Sequence, residues 1–245
     1  MTFSLRERGV DLILLDIEGT TTPIAFVYDV LFPFARTRIE SHLRQHAHDP
    51  QLREALATLR LEWQDDDRGG EAPPAWDAGA PMSAAAYLFW LMDRDRKSPT
   101  LKRFQGEIWE TGFRSGALRG EVFPDVAPAF ERWRGSRVGI AIYSSGSTLA
   151  QRLIFGASRA GDLTPFISEY FDTAIGPKRS PDSYRRIAGA MRRSPSKILF
   201  VSDAPEELDA AFAAECQILL AVRPGNRPVD GPESLDEISS FDEIV

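Results

Sequence analysis

At 245 residues, 43% of them hydrophobic, the chain can bury a sizeable core as one domain carrying a substantial insertion. Lys and Arg number 29 against 36 Asp and Glu, for a net charge of −7 with no long basic block; this argues against a nucleic-acid partner, and any phosphate substrate needs a cation supplied locally. Cys216 is the only cysteine, which excludes an intrachain disulfide and a Cys-based zinc site and makes the reducing cytoplasm the expected compartment.

In chain order, the first apolar run, 10–15, is interrupted by Asp11 and is too short for a signal peptide or a membrane span, so no membrane association is expected. Four runs rich in Ile, Val and Leu, at 12–15, 138–143, 198–201 and 218–222, predict buried parallel strands. Between 23 and 120 the pattern turns helical, at 30–45, 51–64, 83–95 and 100–111, with the polar stretch 65–70 and the following Pro73 and Pro74 predicted as a solvated connector. Helical patterns at 147–155, 182–192 and 205–215 supply the crossovers between the later strands. The expected fold is therefore α/β: a doubly wound, Rossmann-like parallel sheet formed by 1–22 and 121–245, with a helical cap inserted at 23–120.

Polar residues gather where the first three strands end, and ligands of open α/β sheets bind beyond the carboxyl ends of the strands. Asp16-Ile17-Glu18-Gly19-Thr20-Thr21 follows the first. Two carboxylates two residues apart address one ligand if the chain stays extended, and Gly19 lets it turn away afterwards. An isolated D-x-E usually serves as a cap; its place after an apolar run, matched by two other polar strand ends, favours chemistry. A carboxylate can attack phosphorus to form an aspartyl-phosphate, and a second carboxyl group can protonate the leaving alcohol. Ser144 and Ser145, at the second strand end, suit phosphate oxygens, although a lone serine there is more often a helix N-cap. Lys178, in Gly176-Pro177-Lys178, can neutralise a phosphoryl group, with Arg179 as its competitor. Asp203 offers a hard oxygen for Mg²⁺. Glu207, four residues on, either holds a metal-bound water or is a first-turn acid that complements the helix dipole. His42 and His46 are four apart on a predicted helix, but without a closing partner they read as a solvated face.

The ordered set Asp16 with Glu18, Ser144 with Ser145, Lys178, and Asp203 resembles the four signature motifs of the haloacid-dehalogenase-like hydrolases. Residues 16–27, 105–109 and 222–226 resemble the enolase-phosphatase branch in particular, the one described as acting in methionine salvage. The resemblance implies a bifunctional, cytoplasmic enzyme. It would convert 2,3-diketo-5-methylthiopentyl-1-phosphate through its enol to the acireductone 1,2-dihydroxy-3-keto-5-methylthiopentene and phosphate. It implies Asp16 and Glu18 as catalytic residues, and one Mg²⁺ per subunit held by Asp16, Glu18 and Asp203, Glu18 through its backbone carbonyl. Ser144, Ser145 and Lys178 would contact the phosphorylated diketone, and the enzyme is expected to act as a monomer. The motifs do not identify the base for enolisation; Glu18, one methylene longer than the usual Asp, is the candidate for both proton movements.

Three alternatives predict different behaviour. A dehalogenase of this fold would need neither Glu18 nor metal, and a non-catalytic binding protein would have lost a motif. A phosphatase acting on another small ester is the closest alternative. Phe26, Trp90, Trp109 and Phe113 could line an apolar pocket, but are more readily read as core.

Overall fold

The computed structural model describes residues 2–77, 80, 82–96, 98–228 and 235–245. Six strands, β1 (Leu12–Leu15), β2 (Gly139–Tyr143), β3 (Glu169–Phe171), β4 (Ile198–Ser202), β5 (Gln217–Ala221) and β6 (Glu237–Ile238), form one sheet. Its order is β3-β2-β1-β4-β5-β6, and every pairing is parallel. The register sets Leu15 beside Ile142 on one side and beside Val201 on the other. All four residues of β1 are buried, the expectation for a central parallel strand covered on both faces. On one face Leu12, Leu14, Ala141, Tyr143, Ile198 and Phe200 pack with Tyr184, Ile187, Leu208 and Ala211 of the crossover helices Pro181–Met191 and Pro205–Ala213.

The four predicted strands are present, with Val138 and Val222 falling just outside β2 and β5. Strands β3 and β6, of three and two residues, lie at the two edges of the sheet and are too short to create an apolar run. The helix Val126–Gly135 was not anticipated either. Pro128 reads as a breaker, yet in the first turn its missing N–H would have had no partner anyway.

The chain divides into two compact units, Met1–Tyr28 with Gly116–Val245, and Asp29–Ser115. The second is helical: Ile39–Gln45, Pro50–Arg68, Ser83–Asp93 and Pro99–Arg114 are its longer helices. The predicted helix 30–45 is in fact broken. A π-helical turn, Phe26–Leu31, leads into a short helix, Phe32–Arg36, before Ile39–Gln45 begins. The two α-helices part at Thr37, whose N–H and hydroxyl both turn back to the Pro33 carbonyl at 3.0 Å.

The connector predicted from residue 65 is also corrected, because Pro50–Arg68 is helical to its end. Asp66 projects from that last turn, accepts 2.7 Å from the Tyr87 hydroxyl and pairs with Arg96. His42 is not on a solvated face: it is buried, 3.0 Å from Glu107, with its ring 4.4 Å from that of His46. Trp90, Trp109 and Phe113 are buried within this unit and Phe26 within the first. Among the described residues no helix is long and apolar enough to cross a membrane.

Phe200 is wholly buried, with its ring centroid 5.0 Å from that of Tyr184. Phe200→Ala should lower the unfolding free energy by about 3–5 kcal/mol in guanidinium titrations, the usual cost of emptying such a site.

Candidate active site

Asp16 is the first residue beyond β1, and its backbone N–H continues the ladder to the Val201 carbonyl at 3.0 Å. The β1–β4 register therefore sets it beside Ser202, the last residue of β4. Asp16 and Lys178 are 6% and 8% exposed, and the Lys178 ammonium sits 2.7 Å from Asp16 Oδ1 and 2.5 Å from Glu207 Oε2. The Ser202 hydroxyl lies 3.1 Å from Glu207 Oε2 and 3.4 Å from Asp16 Oδ2. With a single hydrogen to give, it favours the nearer Glu207.

Lys178 is held by its backbone. The hydroxyls of Tyr143, Ser183 and Tyr184 donate to the carbonyls of Gly176, Pro177 and Lys178 at 2.9, 2.7 and 2.7 Å. Gly176 has φ +145°, and Ser183 Oγ occupies the space a Cβ there would need, so glycine is the residue that fits. Arg179, the sequence competitor, points outward and lies 3.9 Å from Glu206 on the surface.

The chain does not stay extended to Glu18. From Ile17 it enters a tight turn, in which the Ile17 carbonyl accepts the N–H groups of Thr20, Thr21 and Thr22 at 3.2, 3.0 and 2.8 Å. Half-buried Glu18 opens that turn, bridging to Thr22, so its relation to Asp16 comes from a turn rather than from strand alternation. Gly19 follows with φ +70°, and a Cβ there would overlap the Asp203 carboxylate. At the end of β2, Ser144 is buried and its hydroxyl accepts from the Gly146 N–H at 3.2 Å. Half-buried Ser145 follows it, and Ser147 caps the helix Thr148–Gly156.

Three acids and one ammonium share this place, and they perturb one another. Burial would pull the Lys178 ammonium down, but Asp16 and Glu207 together hold it above its ordinary range. Burial and Asp16 push Glu207 up against the opposing pull of Lys178 and Ser202. Asp203 is pushed up to about 7, first by burial and then by Asp16, with Lys178 opposing. Three carboxylates against one ammonium leave an excess of negative charge and hard oxygens, the donor chemistry that suits Mg²⁺. Among the described residues no three His, Cys, Asp or Glu side chains form a ready cage. Mg²⁺ does not require one, since one or two carboxylates with waters and a phosphate oxygen suffice.

Glu207 as the partner of Lys178 was not foreseen. The sequence offered only its position four residues after Asp203, which a first-turn acid shares. Gln151 was missed as well: it donates 2.9 Å to the Gly146 carbonyl and 2.8 Å to that of Phe171, tying the Ser144 loop to β3.

Asp203 gives the metal-free protein a pH dependence of definite sign. Its folded pKa of about 7 lies above its ordinary 3.8, so the folded chain holds the extra proton between those values and loses stability as pH rises through them. In chelator, Asp203→Asn should therefore melt above the wild type at about pH 8, with the difference closing toward about pH 4. A difference independent of pH would contradict this reading.

The sequence matches the haloacid dehalogenase-like hydrolase family over residues 10–215. Among curated proteins it is 47% identical to the enolase-phosphatase E1 of Synechococcus elongatus, over 96% of this chain and 98% of that one. It is 44% identical to the enolase-phosphatase E1 of Pseudomonas aeruginosa, over 95% and 97%. Among solved structures, the UTR4 protein of Saccharomyces cerevisiae aligns with a TM-score of 0.78 at 31% identity, covering 95% of this chain and 99% of that one. The chain belongs to the haloacid dehalogenase-like hydrolases and, within them, to the enolase-phosphatase E1 family.

Proposed function

We propose that the chain is a Mg²⁺-dependent enolase-phosphatase acting in methionine salvage. It takes 2,3-diketo-5-methylthiopentyl-1-phosphate through its enol to the acireductone and phosphate. The observation that carries the reading is the buried Asp16 carboxylate, held through Oδ1 by Lys178 at 2.7 Å within a family of phosphatases. That bond orients the carboxylate and leaves Oδ2, which has a 3.4 Å contact to Ser202, the less engaged oxygen among the described residues. Asp16 attacks phosphorus, the bond to the leaving oxygen breaks, and the aspartyl-phosphate is then hydrolysed by water attacking phosphorus.

Asp16, the Glu18 backbone carbonyl and Asp203 would hold Mg²⁺, which when bound neutralises phosphoryl charge and polarises the substrate oxygens. Lys178 stabilises charge developing on the transferred group, and Ser144 and Ser145 bind its oxygens. Glu18 moves protons in both halves: it takes one from the carbon beside the carbonyl and delivers one to the leaving oxygen. The inserted residues 23–120, the expected cap, are the part of the chain assigned substrate choice.

Phosphate release and the ultraviolet absorbance of the enol should both be measured on the diketo substrate. Asp16→Asn should abolish phosphate release, and chelation should do the same reversibly. Glu18→Gln should slow both steps by about 10²–10⁴-fold, the range for a lost acid–base group. Full turnover in chelator, or a preference for unrelated phosphate esters, would contradict the proposal.

A further inference from the structure

Asn226 lies in the loop after β5. Its amide nitrogen donates to the Gly19 carbonyl at 2.9 Å and to the Ala221 carbonyl at 3.1 Å. Only this orientation lets both of its hydrogens meet acceptors, so the way the amide faces is determined. Arg223, buried in the same loop, grips the next carbonyl, with Nε 3.1 Å from Thr20 O. It is anchored at 2.7 Å to Asp125 and lies over the rings of Phe123 and Phe241. The turn that follows Asp16 is thus fastened at two successive carbonyls to the end of β5.

With the nitrogen committed, Asn226 Oδ1 faces the opposite way. It is buried without a hydrogen-bond partner among the described residues. It stands 3.0 Å from where a Cβ on Gly19 would be, a point the Asp203 carboxylate also crowds. An amide oxygen and an ionised carboxylate facing one space cannot bond each other, and a buried unpaired acceptor costs about 1–3 kcal/mol. A donor between them satisfies both, and Mg²⁺ characteristically keeps several waters.

We propose that Asn226 is a positioning residue of the divalent-ion site. Its Oδ1 accepts a hydrogen bond from a water on the cation held by Asp16 and Asp203, while its Nδ2 keeps the Gly19 carbonyl in place. The inference rests on the Mg²⁺-dependent reading above.

Its test is calorimetric titration of MgCl2 into the full, metal-stripped chain, with circular dichroism in chelator as the check on folding. Wild type should bind one Mg²⁺, and Asn226→Ala should bind about 10–100-fold more weakly, the usual effect of removing a group that supports a metal ligand. Arg223→Lys, which disturbs the same loop without touching this oxygen, should melt lower yet bind Mg²⁺ nearly as wild type does. Wild-type affinity in a folded Asn226→Ala, or an equal loss in Arg223→Lys, would overturn the inference. If Asn226→Ala does not fold, Asn226→Ser carries the same expectation, and failure of both to fold would make Asn226 structural and overturn it too. Absence of Mg²⁺ binding by wild type would instead bring down the phosphatase reading, and this inference with it.

Discussion

A buried ammonium organises this protein. Taking a lysine charge out of water costs several kcal/mol unless opposite charges and hydrogen bonds replace its hydration, and Lys178 finds that replacement in Asp16 and Glu207. Those residues follow β1 and β4, and Lys178 itself is delivered by the loop before the helix Pro181–Met191. The sheet order, the β1–β4 register and the three hydroxyls on carbonyls 176–178 are what make the meeting possible. Removing Lys178 would leave the Asp16 and Glu207 carboxylates buried without an opposite charge.

The same arrangement is the proposed seat of the chemistry. One ammonium does not balance Asp16, Asp203 and Glu207, and the pKa of Asp203 is raised first by burial and then by the neighbouring Asp16. A phosphate ester would add further negative charge, which the proposed divalent cation would offset. Gly19 makes room for the Asp203 carboxylate, and Asn226 and Arg223 fasten the turn that carries it. Membership of the enolase-phosphatase E1 family gives this geometry its substrate chemistry.

Much of this was legible in the sequence, and the exceptions have physical causes. The interior strands announce themselves because both of their faces are buried, whereas β3 and β6 are edge strands too short to leave a pattern. Asp16, Ser144 and Asp203 stand at strand ends, a place hydrophobic runs mark well. Lys178 and Arg179 are indistinguishable by local chemistry; tertiary bonds from Tyr143, Ser183 and Tyr184 decide between them. The pairing of Glu207 with Lys178 and the grip of Asn226 on Gly19 could not be read locally, because those partners lie 29 and 207 residues away in the chain.

The central claim is that the carboxylate held by Lys178 is the group that takes the phosphoryl from substrate. Acid-quenching the enzyme during turnover and mapping its peptides by mass spectrometry tests this directly. The account predicts one phosphate on the peptide containing Asp16, absent without Mg²⁺. Steady phosphate release with that peptide unmodified, or with the phosphate on another residue, would contradict it.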